Sequence, residues 1–545
     1  MNRENELKDL FAHGVISRRE FIVKAGLLGF SAGAIQSLLA AGGPAAAATA
    51  EQVKRGGTLT HAINWTVPSM DPHISTLPQH ALNENAYEGL VRLRADPKTW
   101  EQKVVGVLAE SWKSPDARTI VFKLRQGVQF HDGSNFDAQV AAWNFLRARD
   151  HPKSMIKATL KVIDSIKALD KQTLEIKTKD DNAALLRILA HVNGGLVRMV
   201  SKAAFDKNGE EWLQRNAVGT GPFKFKQWIT DDRVILERNV DYWEAGADGK
   251  PLPYLDGLLM RYIPDPTVSL IDMRAGAVHL IEGMTLKDIA TLKMDPNLAY
   301  VELPWAGQIY FMMGFNTGAS PFNDVRVRQA ALYGIDRVGM HKTLGFGVGA
   351  PQYYGNWFPS VLGYDESVLK YEYNPDKVKQ LLKEAGYPDG VSIELKVIAR
   401  EPENTIGEFV QQMWTTVGIK TKLVSQERLS WIDAVRAKNF QTCFWRGSSI
   451  AGVDPDLLRT VVKCGGPDNW SQFCDPEIDR LMDQGGAMVD AKKRQEIYRN
   501  VLGLIQERAY VGSGFLAPVV SGYRNEVQGL DFNFATPNLR ASWLK

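Results

Sequence analysis

The sequence predicts a mixed α/β protein of at least two lobes, and three observations lead to this prediction. The chain has 545 residues, more than one hydrophobic core usually organises. Its hydrophobic content of 44% and charged content of 23% are typical of a folded globular protein. Helical and strand patterns alternate along the chain, with no repeat of about 20–50 residues that would indicate a solenoid.

Alternation of apolar and polar residues predicts the strands. Apolar residues alternate over 119–124, and they do so again at Leu174 and Ile176. The run 418–423 predicts a third strand, which follows directly on a predicted helix. Strands alternating with helices indicate α/β units.

Capping residues predict the helices. Asn374 and Pro375 open a helix that closes at Gly386, because Asn caps a helix well and Pro fits its first turn. A second helix is predicted over 405–417, and a third begins at Asp475-Pro476 by the same rule. A further helix is predicted to begin after Asp137, with Val140, Trp143, Asn144 and Arg147 on one side, so its apolar stripe is short.

The N-terminal segment is typical of an export signal. Arg18 and Arg19 precede a modest apolar run over 25–41, and small residues follow at Ala48 and Ala50. This pattern predicts export by the twin-arginine translocase, cleavage near Ala50 and a mature protein in the periplasm. The alternative, a membrane anchor, needs about 20 strongly apolar residues, whereas this run is short and rich in glycine.

Charge and motifs restrict the function. The formal net charge is +3 and no sustained basic stripe occurs, so nucleic acid is not expected as a partner. Beyond the predicted export signal, no G-x-S-x-G, H-E-x-x-H or phosphate-binding loop is present, and His131-Asp132 is interpreted as part of a turn. These motifs do not exclude an enzyme, but nothing among them supports one, and no cofactor or metal site is expected.

The three cysteines fit an oxidising compartment. Cys464 and Cys474 flank a segment rich in turn residues, which favours a disulfide bond. The alternative is a pair of reduced thiols. Cys443 lies in an apolar run and is expected to be a buried small hydrophobic residue.

Six ordered blocks resemble the family 5 extracellular solute-binding proteins, which are the receptors of ABC importers for peptides, nickel, opines and oligosaccharides. The resemblance covers about 56–520. It implies a large two-lobed periplasmic binding protein of type II (cluster C) with an extra N-terminal subdomain and no catalytic activity. The blocks are Leu108–Trp112 with Phe122–Gly133; Val218–Phe223; Leu236–Asn239 with Asp241–Trp243; Phe315–Thr317 with Pro321–Phe322; Val325–Ala330; and Leu381–Tyr387.

The resemblance also implies a domain order and partners. We expect the signal at 1–50, the extra subdomain at 81–215 and lobe II at 304–514, with lobe I assembled from 51–80, 216–303 and 515–545. The protein is expected to be a monomer that encloses its ligand between the lobes and delivers it to an inner-membrane ABC permease. Closure is expected to occur by hinge motion.

In this family the stretch around Trp445, Arg446 and Ser448 lines the pocket. Dipeptide receptors carry an aspartate at the position of Ser448, so its absence argues against a simple dipeptide ligand. The next acid, Asp454, is taken as a candidate ligand contact. Arg400 is the nearest match to the arginine that those receptors use against the peptide carboxylate.

On the opposite lobe, Asn64 and Trp65 occupy the family's first pocket loop. The expected ligand is a small polar solute: an opine-like compound, a sugar derivative or a modified peptide. The alternatives are an oligopeptide or dipeptide and a nickel chelate. A different class of protein, a secreted hydrolase, would need a nucleophile and base that the sequence does not show.

Overall fold

A computed structural model describes residues 53–64, 67–74, 80–96, 102–191, 195–359, 361–448, 454–466, 468–533 and 535–545. The predicted export signal, with Arg18 and Arg19, lies outside the described residues. None of the helices in the described ranges combines the length and the apolarity needed to span a bilayer.

The strands fall into one large sheet and four small ones. In chain order they are β1 (Thr58–Ile63), β2 (Val91–Ala95), β3 (Gln102–Gly106), β4 (Ala109–Asp116), β5 (Thr119–Leu124), β6 (Ile163–Asp170), β7 (Thr173–Thr178), β8 (Phe223–Ile229), β9 (Arg233–Arg238), β10 (Gly257–Tyr262), β11 (Leu280–Ile281), β12 (Leu298–Phe315), β13 (Ala350–Pro351), β14 (Val391–Ile398), β15 (Ile419–Gln426), β16 (Thr442–Ser448), β17 (Val511–Ser513), β18 (Phe515–Arg524), β19 (Val527–Gln528), β20 (Asp531–Asn533), β21 (Thr536–Asn538) and β22 (Trp543–Leu544).

The helices lie between these strands. They are α1 (His80–Ala86), α2 (Ala138–Asp150), α3 (Lys157–Leu160), α4 (Leu185–Leu189), α5 (Lys202–Asn208), α6 (Glu210–Leu213), α7 (Pro266–Arg274), α8 (Ile289–Met294), α9 (Val325–Tyr333), α10 (Arg337–Leu344), α11 (Pro375–Glu384), α12 (Glu403–Thr416), α13 (Arg428–Arg436), α14 (Arg459–Val462), α15 (Pro476–Ala487) and α16 (Ala491–Glu507). Short 3₁₀ turns occur at Leu286–Asp288 and Pro455–Leu458.

The large sheet connects the two lobes. Its strand order is β15-β14-β16-β12-β18-β11-β1-β10-β9-β8, with β13 paired to β18 and β17 paired to β12. The long strands β12 and β18 run through its centre as an antiparallel pair, and their register shifts between Leu303 and Gln308. A shift in register interrupts the ladder and bends the strands locally. This pair of strands joins the two predicted lobes, and we call the register shift between Leu303 and Gln308 the crossing of β12 and β18.

A separate core supports the extra subdomain. The four-stranded sheet β4-β5-β7-β6 contributes to a cluster of buried apolar side chains drawn from 90–199. Phe122 and Leu174 in this cluster are fully buried. This core falls within the predicted subdomain, 81–215, although the lobe boundaries themselves stay a prediction.

Several predicted elements match the structure. Strand β5 covers 119–124 as predicted. Helix α11 begins at Pro375, and the Asn374 side chain accepts a hydrogen bond from the Lys377 amide. Helix α12 begins two residues before the predicted start, at Glu403. Local capping and periodicity were sufficient to predict these elements.

Helix α2 is buried mainly through residues outside the predicted short stripe. Asp137 does cap the helix, but the buried side chains include Phe145 and four alanines, and Asn144 is the one residue of the predicted stripe among them. Val140, Trp143 and Arg147 are only half-buried. Helix α2 lies against strand β6, and its four buried alanines mark the buried face.

Buried polar contacts join the subdomain to lobe I. The Glu88 carboxylate accepts hydrogen bonds from Thr220 Oγ1 at 2.8 Å, from the Tyr242 hydroxyl at 2.7 Å and from Trp243 Nε1 at 3.0 Å. Burial raises the pKa of Glu88 to about 7, although these hydrogen bonds oppose the rise. Glu88 therefore holds a proton in the folded chain at a pH where it is ionised in the unfolded chain.

Replacing Glu88 by glutamine is expected to change the pH dependence of stability. The folded pKa of about 7 lies above 4.5, the ordinary pKa of a glutamate in an unfolded chain. The contribution of Glu88 to stability is thus complete below pH 4.5 and is lost as the pH rises to about 7. The free energy of unfolding of the variant relative to wild type should rise by about 3 kcal/mol between pH 4.5 and 8. Urea unfolding at both pH values measures this, with exposed Glu110→Gln as control. An equal difference at both pH values would contradict the assignment.

Candidate functional site

The predicted pocket residues lie at the ends of two strands that run toward the crossing of β12 and β18 from opposite directions. Strand β1 runs parallel to β10 and β11, and Asn64 follows its carboxyl end. Strand β16 runs parallel to β14 and antiparallel to β12, and Ser448 is its last residue. The two segments thus approach the crossing from different lobes.

The registers place the two ends close together along β18. Strand β1 ends at Ile63, which is level with Ser521. Strand β16 ends at Ser448, which pairs with Gln308, and Gln308 pairs with Ala517. Ser521 and Ala517 are four residues apart, or about 13 Å along the strand. Across the sheet the two ends are four strand spacings apart, or about 19 Å, so the lobes must close for one small ligand to contact both.

Trp445 belongs to a cluster of three tryptophans on one face of β16. Its ring centroid lies 5.5 Å from that of Trp470 and 6.5 Å from that of Trp431. Trp431 is buried, whereas Trp445 is half-buried. Tilted and edge-to-face contacts of this kind fix the orientation of aromatic rings. The cluster therefore gives Trp445 a firm position while part of it stays accessible.

The disulfide loop supports this cluster. The predicted bond between Cys464 and Cys474 is present, and the loop that it closes carries Trp470. Lys438 Nζ donates to the Asn469 carbonyl at 2.9 Å, and Gln472 Nε2 donates to Asn316 Oδ1 at 2.7 Å. The loop is thereby attached to the end of β12, which positions Trp470 against Trp445.

Replacing Cys464 and Cys474 by serine is expected to lower the free energy of unfolding by about 3 kcal/mol. The bond closes a loop of ten residues in sequence separation, and removing it restores conformational freedom to the unfolded chain. Urea unfolding of wild type and of the double variant measures the change. Cys443 is left unchanged in both proteins because its thiol is buried. Wild type that unfolds at the same urea concentration with and without dithiothreitol would contradict this prediction.

The Asp454 carboxylate is paired with an arginine inside predicted lobe II. Its side chain is 1% exposed, and its two carboxylate oxygens accept hydrogen bonds from Arg494 at 2.6 Å each. It also caps the turn Pro455–Leu458 by accepting from the Asp456 amide. Burial lowers the pKa of Arg494, but the hydrogen bonds and charge of Asp454 outweigh it and raise that pKa. We therefore leave Asp454 out of the proposed ligand contacts.

Arg400 lies at the same strand edge as Trp445. Strand β14 ends at Ile398, level with Trp445, and Arg400 follows two residues later. Its guanidinium donates to Glu403 Oε1 at 2.7 Å, and the side chain is 45% exposed. Arg400 is therefore held at the edge with nearly half of its side chain accessible, and a ligand role for it stays a prediction.

The other predicted contacts are less defined. Asn64 is exposed at the end of β1, and Trp65 lies outside the described residues. For Arg446 and Ser448 only the backbone, as part of β16, is described. Their contacts with ligand stay predictions.

Two residues considered for chemistry have structural roles. His131 Nε2 lies 3.0 Å from the Gly221 carbonyl, and burial lowers the pKa of this histidine to about 4. Cys443 is fully buried, and burial raises the pKa of its thiol. Within the described ranges, no three His, Cys, Asp or Glu side chains form a group that could hold a metal ion.

The sequence alone missed two members of the tryptophan cluster. Trp431 lies in α13 and Trp470 lies in the disulfide loop, so both reach Trp445 only through the tertiary fold. The position of Trp470 between the two bonded cysteines was a usable signal, because such a loop is rigid and its aromatic residue must pack somewhere. Trp431 gave no comparable signal.

Known proteins similar to this chain are binding proteins. A glutathione-binding protein, GsiB, of Escherichia coli is 31% identical over 464 residues, which is 82% of this chain and 86% of that protein. Heme-binding protein A of Haemophilus influenzae is 28% identical over 492 residues, covering 83% of this chain and 86% of its own length.

A solved structure and a family model agree with these relatives. HbpA2 of Haemophilus parasuis superposes with a TM-score of 0.77 at 26% identity, covering 90% of this chain and all of that one. The model of the bacterial extracellular solute-binding proteins, family 5 (middle region), matches residues 103–469. These similarities agree with the two-lobed fold and with the strand ends that point toward the lobe junction. The chain therefore belongs to family 5 of the bacterial extracellular solute-binding proteins.

Proposed function

We propose that this protein captures a small polar solute between its two lobes in the periplasm and delivers it to an inner-membrane ABC permease. The observation that carries the proposal is the approach of the β1 and β16 ends to the crossing of β12 and β18 from different lobes. A ligand that contacts both lobes favours the closed state by its differential affinity for that state. We expect the hinge at the register shift of β12 and β18, because these two strands run through both predicted lobes.

The ligand class follows from the side chains at the strand edge. Trp445 offers an aromatic surface, and the half-exposed Arg400 offers a guanidinium suited to a carboxylate. Ser448 stands where dipeptide receptors carry an aspartate. We therefore place a modified peptide first, and its tripeptide representative, glutathione, is the ligand named for a relative that is 31% identical. Opine-like compounds and sugar derivatives share the same polar chemistry.

Isothermal titration of the exported protein with glutathione tests this ligand class. Titrations with a dipeptide, an opine and a nickel–histidine chelate run in parallel, and mass spectrometry of compounds that co-purify covers other solutes. Binding of glutathione and weak or no binding of the dipeptide is the expected result. Binding of ordinary dipeptides alone would replace the modified peptide by the oligopeptide alternative.

Replacing Trp445 by alanine is expected to weaken solute binding about tenfold, because the ligand loses an aromatic surface. Trp212, a partly exposed tryptophan of α6, provides the control: Trp212→Ala should bind as wild type does. Circular dichroism checks that the variants fold, and Arg400→Gln gives a second test that leaves the tryptophan cluster intact. Unchanged affinity in both site variants would remove this edge from the proposed pocket.

The remaining parts of the proposal concern export and chemistry. We infer export through the twin-arginine translocase, cleavage near Ala50, a monomeric state and no catalytic conversion of the ligand. Mass spectrometry of periplasmic protein gives the cleavage site, and size-exclusion chromatography with light scattering gives the mass. Turnover of esters or peptides by the purified protein would favour the hydrolase alternative.

A further inference from the structure

A cavity of about 280 Å³ lies between the extra subdomain and lobe I, lined in part by the C-terminal strands. Arg92 of β2 and Arg125 after β5 contribute from the subdomain, and Glu244 and Arg540 contribute from the other side. Of the described residues that were predicted to contact the transported solute, none lines this cavity. Its walls thus belong to a different part of the molecule.

Two of the arginines in the cavity wall are fully engaged by protein groups. Arg198 donates to Glu84 Oε1 at 2.9 Å. Arg540 donates to Asn538 Oδ1 at 2.7 Å and forms an ion pair with Glu244 at 3.0 Å. These groups explain how the fold keeps two buried guanidinium groups at the lobe junction, and they leave little capacity for a ligand.

Arg92 has donors to spare. Its nearest carboxylate oxygen, on Asp531, is 3.9 Å away, beyond hydrogen-bond distance, and the side chain is only 13% exposed. Among the described residues, no hydrogen bond to its guanidinium occurs. Burying a guanidinium without hydrogen bonds is costly. The Arg92 guanidinium can therefore donate hydrogen bonds to a partner that the described residues do not supply.

Arg125 has donors to spare on the same cavity. Its Nε donates to the Val107 carbonyl at 2.7 Å, and its guanidinium carbon lies 4.4 Å from the Trp243 ring centroid. Stacking of this kind fixes the plane of a guanidinium. Within the part of the chain that the structure describes, its two terminal nitrogens have no hydrogen-bond acceptor. The plane is thus held while two donor groups stay available.

We propose that this cavity binds a small oxyanion, held by the Arg92 and Arg125 guanidinium groups. A planar guanidinium recognises carboxylate and phosphate oxygens with paired hydrogen bonds. A volume of about 280 Å³ lies just below the range of drug-sized pockets, so the ligand is a small anion such as inorganic phosphate or a di- or tricarboxylate.

The charges around the cavity fit an anion. Four arginines line it, against the three carboxylates of Glu84, Glu88 and Glu244, and Asp531 lies just behind Arg92. Burial raises the pKa of Glu88 to about 7, so near neutral pH this carboxyl is partly protonated and positive charge prevails. An anion bound here would bridge the subdomain and lobe I and stabilise their junction.

Thermal unfolding and isothermal titration of the exported protein test the proposal with two probes, inorganic phosphate and citrate. Sodium chloride at matched ionic strength is the reference. The variants are Arg92→Gln and Arg125→Gln, and Arg118→Gln is the control, because Arg118 is an exposed arginine of the same subdomain, paired with Asp181. Wild type and the control are expected to bind at least one probe, and both cavity variants are expected to bind it about tenfold more weakly.

The outcomes separate the possibilities. Binding of phosphate but not citrate identifies a phosphate site, and the reverse identifies a carboxylate site. Equal binding by all four proteins, or no binding by wild type beyond that seen in chloride, would overturn the proposal. If Arg92→Gln does not fold, Arg125→Gln decides alone. Trp445→Ala should keep its anion affinity, so failure at this cavity is distinct from failure of the proposed solute site.

Discussion

Replacing Asp454 by asparagine is expected to lower the free energy of unfolding by about 3–5 kcal/mol. The change leaves the Arg494 guanidinium, which is 7% exposed, without its compensating charge. Removing one partner of a buried ion pair has this cost because the remaining charge stays out of water. Asparagine retains the side-chain oxygen that caps Pro455–Leu458, so the loss reports chiefly on the charge.

Equilibrium urea unfolding, followed by tryptophan fluorescence, measures this effect. Asp181→Asn is the matched control, since Asp181 forms an ion pair with Arg118 in which the side chains are 48% and 56% exposed. Exposed pairs contribute at most about 1 kcal/mol. Similar decreases in the free energy of unfolding for the two variants would show that burial gives the Asp454–Arg494 pair no special contribution to stability.

Replacing Gly219 by alanine is expected to destabilise the junction of subdomain and lobe I by about 3 kcal/mol. A β-carbon at this position would lie 2.1 Å from the Ala86 carbonyl oxygen and 2.6 Å from the Tyr87 ring. Because the obstruction includes backbone, the clash can be relieved only by a shift of α1 or of the 218–223 segment. Overpacking of this kind costs about 1–3 kcal/mol and occasionally more.

Gly503→Ala in α16 is the control for the glycine prediction. A β-carbon there meets no atom within 4 Å, and alanine favours a helix over glycine by about 1 kcal/mol. The two substitutions should therefore change the urea midpoint in opposite directions. A Gly219→Ala variant as stable as wild type would mean that the approach of Ala86 is not the reason for glycine at this position.

Local signals in the sequence predicted much of the fold. The Asn374-Pro375 cap, the alternation over 119–124 and the spacing of Cys464 and Cys474 each depend on neighbouring residues, and each matches the structure. The ordered blocks added the family, which implied the two lobes and the subdomain.

Features that depend on distant contacts could not be predicted. Gly219 and Gly221 belong to the block Val218–Phe223, and the sequence does not show that a β-carbon at either position would clash with the backbone of Ala86. The Asp454–Arg494 pair joins residues that are forty positions apart, so an acid near the pocket segment was taken as a ligand contact. The orientation of side chains at the lobe junction also depends on contacts between residues that are distant in sequence.

Small-angle X-ray scattering is the most direct test of closure around a solute. The exported protein is compared before and after saturation with glutathione, or with the compound that co-purifies if glutathione does not bind. A smaller radius of gyration in the bound state is the predicted result, because the lobes move together about the crossing of β12 and β18. A bound protein with an unchanged scattering profile would contradict capture by lobe closure.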